Sequence, residues 1–226
     1  DEKLTISQTD IKATERKSTN NLEAYKLIKE CYRLLGTPKI DSKIIANKTI
    51  PLAEKAILLD STYADAYAVL AMSKFFKHEN HETTDEAIKD ANEAIILAEK
   101  ALFYDPDNEL ALLETIVIPA FQIRAKKWAE NEIVDLFTIR QLTIKMDHAL
   151  RKFPDSPFLL SIGGMYFMIR YHITDDESNL DMGLSYSLKS HSILKVNVNK
   201  TNDFLIQSAN EINFEIIPFA YTQIDK

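Results

Sequence analysis

The tetrapeptide Ala53-Glu54-Lys55-Ala56 opens the stretch AEKAILLDSTYADAYAVLA (53–71), and the same four residues open AEKALFYDPDNELALLE (98–114) forty-five residues later. In each copy an apolar helical pattern runs into an acidic turn, Asp60-Ser61 in one and Asp105-Pro106 in the other. A second apolar pattern follows each turn. Carried along the chain, the alignment places Pro154 and, more loosely, Asn197 at equivalent positions. A small residue precedes each junction: Ala56, Ala101, Ala149 and Ser192. An apolar residue follows the first three at Tyr67, Leu112 and Leu160, with small residues soon after at Ala71 and Gly163-Gly164.

Helix packing gives this repetition a physical meaning. Two antiparallel helices joined by a tight turn approach closely only where small side chains meet at the crossing. Proline suits the first positions of a new helix, where its missing N–H costs nothing. Asp105 and Asp155 are placed to cap the helices that follow them. One hairpin cannot bury its own apolar face, but a stack of them can. The expected fold is therefore all-α: a right-handed solenoid of about four helical hairpins with a C-terminal helix.

Composition agrees. Apolar residues make up 46% of the 226 and charged residues 27%, a balance that supports a packed core. Four glycines are too few for Gly-rich phosphate loops or a turn-rich β-protein. A formal net charge of -7 argues against nucleic acid as a partner. The longest basic cluster, Arg124-Ala125-Lys126-Lys127, reads as an exposed helix end. Cys31, the single cysteine, rules out an internal disulfide and leaves the compartment open. The longest apolar run, Thr115 to Phe121, is interrupted by Pro119 and is too short to span a bilayer. The chain begins at Asp1 rather than Met, which fits a fragment of a longer protein whose other parts lie outside it.

The pattern Ala53-x-x-Ala56-x-x-x-Asp60-x-x-x-Ala64-x-Ala66-Tyr67-x-x-Leu70-Ala71 resembles a tetratricopeptide repeat, as does Ala94-x-x-x-Ala98-x-x-Ala101-x-x-x-Asp105-Pro106. A weaker third copy runs from His148-Ala149 through Phe153-Pro154 to Leu160. The usual period is about 34 residues. Here it is some ten longer, so helices or loops are extended, HENHETTD (78–85) being one such loop. A second resemblance lies in Thr19-Asn20-Asn21-Leu22-Glu23-Ala24-Tyr25-Lys26-Leu27, which looks like the entry to the tetratricopeptide segment of bacterial multidomain regulators. Those are membrane-bound transcription factors and class III adenylate cyclases. Cys31 stands where that pattern has glycine. The resemblance covers about Asn21 to Ile217 and implies a protein-interaction segment without catalytic residues of its own.

The predicted helices are 21–35, 41–60 with Pro51 as a kink or restart, 63–77, 84–104, 107–125 with Pro119 as a second kink, 130–152, 156–171, 177–195 and 201–221. Residues 1–18 read as a polar segment with a turn or short helix near Gln8 to Arg16. Residues 19–226 read as one continuous domain.

No catalytic constellation emerges. Walker, dinucleotide and nucleophile-elbow motifs are missing from the sequence. His78 and His81 are three apart rather than the four a zincin helix requires, and they fall in a polar loop. Cys31 falls on the packing face of the first helix and His148 beside a packing alanine. Asp175, Asp176 and Glu177 suit a helix N-terminus. The acceptor triplets at Asn47 and Asn199 carry no weight without a secretory context. No cofactor and no metal is expected.

Tetratricopeptide solenoids bind partners in a concave groove lined by the first helix of each hairpin, and the resemblance projects that groove onto this chain. From 63–77 it takes Asp65, Ala68, Met72, Phe75 and Phe76. From 107–125 it takes Leu110, Leu113, Val117 and Phe121, and from 156–171 it takes Phe158, Met165, Met168 and Ile169. The set lacks the Lys, Arg and Asn of the carboxylate-clamping members. A Phe- and Met-rich groove suits an apolar helix or an extended peptide with apolar anchors. The same side chains could instead be core, covered by the last helix, or a dimer interface. The expected function is protein or peptide binding without catalysis. The rival is a small-molecule sensor whose helices close over an apolar pocket. The compartment stays open between the cytoplasmic and periplasmic faces of a larger protein.

Overall fold

The computed structural model describes residues 19–35, 41–78, 84–130 and 135–196, with 209, 212, 213, 216–218 and 220 toward the C-terminus. The expected features of residues 1–18, the cap at Gly36, His81 and the Asn197 junction lie outside these residues. The described chain is all-α, with no strand among its residues. Its helices are α1 (Leu22–Leu35), α2 (Ser42–Leu59), α3 (Ala64–Phe76), α4 (Asp85–Tyr104), α5 (Glu109–Glu130), α6 (Leu136–Lys152), α7 (Pro157–Thr174) and α8 (Ser178–Val196). Helical residues from 209 to 220 follow.

The helices pack in an alternating order. Each touches the next along the chain. In addition α1 touches α3, α3 touches α5 and α5 touches α7, while among the described residues no even-numbered helix touches another even one. The odd helices therefore form an inner row and the even ones flank it. Burial follows this division. Ala66 to Met72 of α3 are buried without a break, as are Phe158 to Gly164 of α7. The even helices bury one stripe each, and α4 places Ala87, Asp90, Ala91, Ala94, Ala98 and Ala101 inward.

The duplicated alanines occupy the crossings. Ala53, Ala56, Ala98 and Ala101 are all fully buried, as is Ala149. The glycines perform the same role further on. A Cβ on Gly164 would lie 2.1 Å from Ser187 Oγ and 3.0 Å from the Gly183 carbonyl. The α7–α8 approach thus leaves no room for a side chain at Gly164.

Hydrogen bonds link the turns of successive repeats. Asn108 Nδ2 donates to Asp65 Oδ1 at 2.7 Å, and Ser156 Oγ donates to Glu109 Oε2 at 2.7 Å. Lys152 Nζ donates to the Pro106 carbonyl at 2.8 Å. Asn108 and Ser156 also cap α5 and α7, accepting from Ala111 N at 3.0 Å and Leu159 N at 3.2 Å. These are the caps expected of Asp105 and Asp155. Asp105 instead accepts from Asp107 N within the turn.

Other differences have local causes. Both α2 and α5 run through their prolines without a break. Proline removes one N–H and leaves the rest of the helix bonded, and packing along the whole helix offsets that loss. α5 continues to Glu130, beyond the expected end at Ala125, and α6 begins at Leu136 rather than near 130. Asp135 sets that start by accepting from Phe137 N and Thr138 N. Arg124-Ala125-Lys126-Lys127 is consequently no exposed helix end. Lys127 Nζ donates to the carbonyls of His172 at 2.9 Å and Ile173 at 2.8 Å, closing the C-terminus of α7.

Candidate functional site

The projected groove residues share the inner row, and most of them are inside it. Met72, Leu113, Val117, Phe121 and Met168 are buried, as are Ala68, Leu110, Phe158 and Ile169. Asp65, Phe75, Phe76 and Met165 are half-buried. Asp65 is engaged by Asn108 and stitches one turn to the next. Met165 and Met168 lie under the C-terminal helical residues, where Met168 packs in a cluster with Leu180, Ile216 and Ala220.

The structure brings three of the projected residues together. The Phe75 ring lies 5.7 Å from that of Phe121 and 6.1 Å from that of Phe76. The Arg124 guanidinium sits 4.5 Å over the Phe121 ring. Phe75, Phe76 and Arg124 keep part of their surface in solvent, so this aromatic–guanidinium corner is the reachable end of the stripe. Burial lowers the Arg124 pKa from its ordinary value. Burial also lowers that of His172, with the Arg124 charge adding to the effect and Asp175 opposing it.

Glu114 lies on the same face of α5, between Leu110 and Val117. It is 6% exposed, and neither carboxyl oxygen makes a hydrogen bond of normal geometry. Burial pushes its pKa well above the usual carboxylate range, and the nearby Met72 backbone counteracts this only in part. Burial therefore favours the uncharged form of this carboxyl inside the inner row. The sequence carried its signal, a lone acid in the apolar run Leu110-Ala111-Leu112-Leu113-Glu114-Thr115-Ile116-Val117.

Just beyond the C-terminus of α3, His78 places a ligand atom within 4.8 Å of those of Glu86 and Asp90. Glu86 and Asp90 are one turn apart on α4. His78 Nε2 is 2.8 Å from Asp90 Oδ2. Lys77 Nζ lies 2.7 Å from Glu86 Oε1 and 3.0 Å from Asp90 Oδ2, bridging the two carboxylates. Lys74 approaches Asp90 at 3.9 Å and Glu93 at 2.9 Å. Burial raises the Asp90 pKa, but the His78 and Lys77 bonds and the lysine charges outweigh it and hold the carboxyl below its ordinary value. An ammonium thus already stands where a cation would be held, and the arrangement fastens the end of α3 to the start of α4.

Cys31 is buried, with Sγ 3.7 Å from the Thr49 carbonyl. Burial, with the Glu30 charge adding to it, pushes its thiol pKa up to about 12. Such a thiol is not a nucleophile at neutral pH. His148 is exposed on α6.

Comparison of the chain with models of protein families, with characterised proteins and with solved structures gives no match.

Proposed function

We propose that this chain is a non-catalytic interaction module. In this reading it is an α-solenoid of about four lengthened tetratricopeptide-like hairpins with a C-terminal helix, belonging to a larger bacterial regulator. The observation that carries the reading is the unbroken row α1–α3–α5–α7 with α2, α4, α6 and α8 each beside their odd-numbered neighbours. That is the order a stack of two-helix repeats requires. Buried small residues at equivalent positions support it further.

The partner is a peptide or domain with an apolar anchor. The anchor packs on Phe75 and Phe76. A photo-crosslinker placed at position 76 tests this in the source cell extract, beside a control at the exposed position 145 on α6. Crosslinks specific to position 76 and lost in Phe75→Glu, with folding retained, support the reading. Equal labelling from both positions refutes it.

A second reading, a sensor for an apolar small molecule, is favoured by Glu114. A buried carboxyl whose oxygens make no hydrogen bond of normal geometry, on the face of α5 that carries Leu110 and Val117, has hydrogen-bonding capacity left for something else. Native mass spectrometry of the purified chain separates the two. A bound small molecule lost in Glu114→Leu supports the sensor, and an unliganded mass for both removes it.

A further inference from the structure

Helix α6 differs from the other described helices in charge. Between Leu136 and Lys152 it holds Arg140, Lys145, Arg151 and Lys152 against one acid, Asp147, the largest positive excess of any described helix in a chain of net charge -7. The fold uses little of that charge. Lys152 is engaged by Asp107 and by the Pro106 carbonyl. Among the described residues the side chains of Arg140, Lys145 and Arg151 form no hydrogen bond or ion pair. On the other even helices Lys55 pairs with Glu23, Lys89 with Glu93 and Lys189 with Asp155.

Helical geometry sorts the side chains of α6 into a pattern. Ile139, Leu142, Met146, Ala149 and Leu150 are buried and seat it against α5 and α7. The opposite side carries Phe137 and Ile144, 68% and 50% exposed and two turns apart. At about 100° per residue, Arg140 and Arg151 fall on one side of that line and Lys145 on the other. All three are exposed, whereas Asp147 is half-buried at the edge of the packed side. Asp135, just before the helix, is engaged by Phe137 N and Thr138 N.

An apolar line with cations on both sides matches an anionic bilayer, which is apolar beneath a plane of phosphates. Arg and Lys reach sideways to phosphate oxygens while Phe and Ile enter between head groups. A protein partner fits less well. α6 has 17 residues, so its outward strip measures about 25 Å by 10 Å, well under the roughly 800 Å² a side of a stable protein interface. The acidic balance of the rest of the chain is screened beyond about 8 Å at physiological salt.

We infer that the outward side of α6 is a docking surface for anionic lipid, with Phe137 and Ile144 among the head groups and Arg140, Lys145 and Arg151 on their phosphates. The helix lies on the surface and does not cross it, and no helix among the described residues is long and apolar enough to do so. The inner row takes no part, so the inference stands apart from the peptide-binding reading.

Co-sedimentation of the 226-residue chain with lipid vesicles tests the inference. One set is phosphatidylcholine, and the other adds about one third phosphatidylglycerol. The wild type is expected on the anionic vesicles alone and is expected to leave them as salt rises. Arg140→Gln/Lys145→Gln is expected to weaken partitioning by roughly fivefold for each cation removed. Phe137→Ser/Ile144→Ser keeps the charge and is expected to weaken it too, with unchanged circular dichroism because both side chains are exposed. Lys89→Gln/Lys100→Gln makes the same loss of charge at exposed positions of α4 and is expected to partition as the wild type does. A wild type that stays in solution overturns the inference, and so does equal binding to neutral and anionic vesicles. An α4 variant as weak as the α6 one overturns it as well, since net charge would then suffice. Retention on immobilised polyglutamate without vesicle binding overturns it in favour of an acidic protein partner.

Discussion

Replacing Glu114 by Gln should change how stability depends on pH, and the sign follows from the carboxyl's surroundings. Glu114 is 6% exposed and its oxygens make no normal hydrogen bond. Burial raises its folded-state pKa well above the ordinary value of 4.5, so the folded protein holds this proton where the unfolded chain releases it. Stability contributed by the protonated group is complete below the unfolded pKa and declines as pH rises toward the folded one. Between the two pKa values the difference approaches one proton, or about 1.4 kcal/mol per pH unit. Gln cannot ionise, is close to Glu in size and carries no such slope. The stability of Glu114→Gln minus that of wild type should therefore grow by about 1.4 kcal/mol for each pH unit above the unfolded pKa, until the folded pKa is reached. For a chain of this size each kcal/mol moves Tm by roughly 2–4 °C. Urea titrations of both proteins at matched pH values give the difference directly, and carboxylates common to both, such as Asp90, cancel. A difference independent of pH would mean that Glu114 ionises freely in the fold and that its burial has been misread. A wild type gaining on the variant with rising pH would mean that a cation holds it.

Ala101→Trp forces a large ring into a fully buried crossing and should destabilise the chain by about 1–3 kcal/mol, checked by urea midpoint. An unchanged midpoint would place Ala101 away from the crossing. Gly164→Ala brings a Cβ to 3.0 Å from the Gly183 carbonyl, a backbone atom, and should lower Tm. Gly164→Ala should also raise the rate of amide exchange in α8 more than in α2. Asp135→Ala removes the acceptor for Phe137 N and Thr138 N and should cost about 0.5–2 kcal/mol, read from thermal melts beside Asp155→Ala as the control that leaves every helix cap in place. Cys31 should resist a thiol-specific aromatic disulfide in the native protein at mildly alkaline pH and react at once in denaturant, because its thiol pKa is pushed up to about 12 inside the core. Native reaction at the rate of free cysteine would show that α1 opens readily.

The sequence was most legible where one physical requirement fixed one residue type. Small residues at helix crossings could be picked out by eye because little else fits there, and Ala53, Ala56, Ala98, Ala101 and Ala149 are indeed fully buried. Helix starts were less legible, because several polar residues in a row can each supply a cap. In Asp105-Pro106-Asp107-Asn108 the acid three places earlier looked sufficient, yet Asn108 is the residue whose oxygen reaches Ala111 N. Pro51 and Pro119 lie inside continuous helices, within the spans expected of them: a breaker acts locally, and whether it ends a helix is decided by packing along the whole element. The candidate site was the least legible, because a row of Phe, Met and Leu on an inner helix has the same pattern whether it lines a groove or fills a core. Depth separates the two, and depth depends on neighbours from distant segments. The C-terminal helical residues lie against Met168, and α3 and α5 meet through Phe75 and Phe121. What the apolar pattern could not conceal was a residue that breaks it. Glu114, inside an apolar run, opposes the local rule. A core has no use for an acid whose oxygens make no hydrogen bond of normal geometry. The buried carboxyl carries a desolvation cost that the fold does not offset, and a group of that kind is where binding is to be sought.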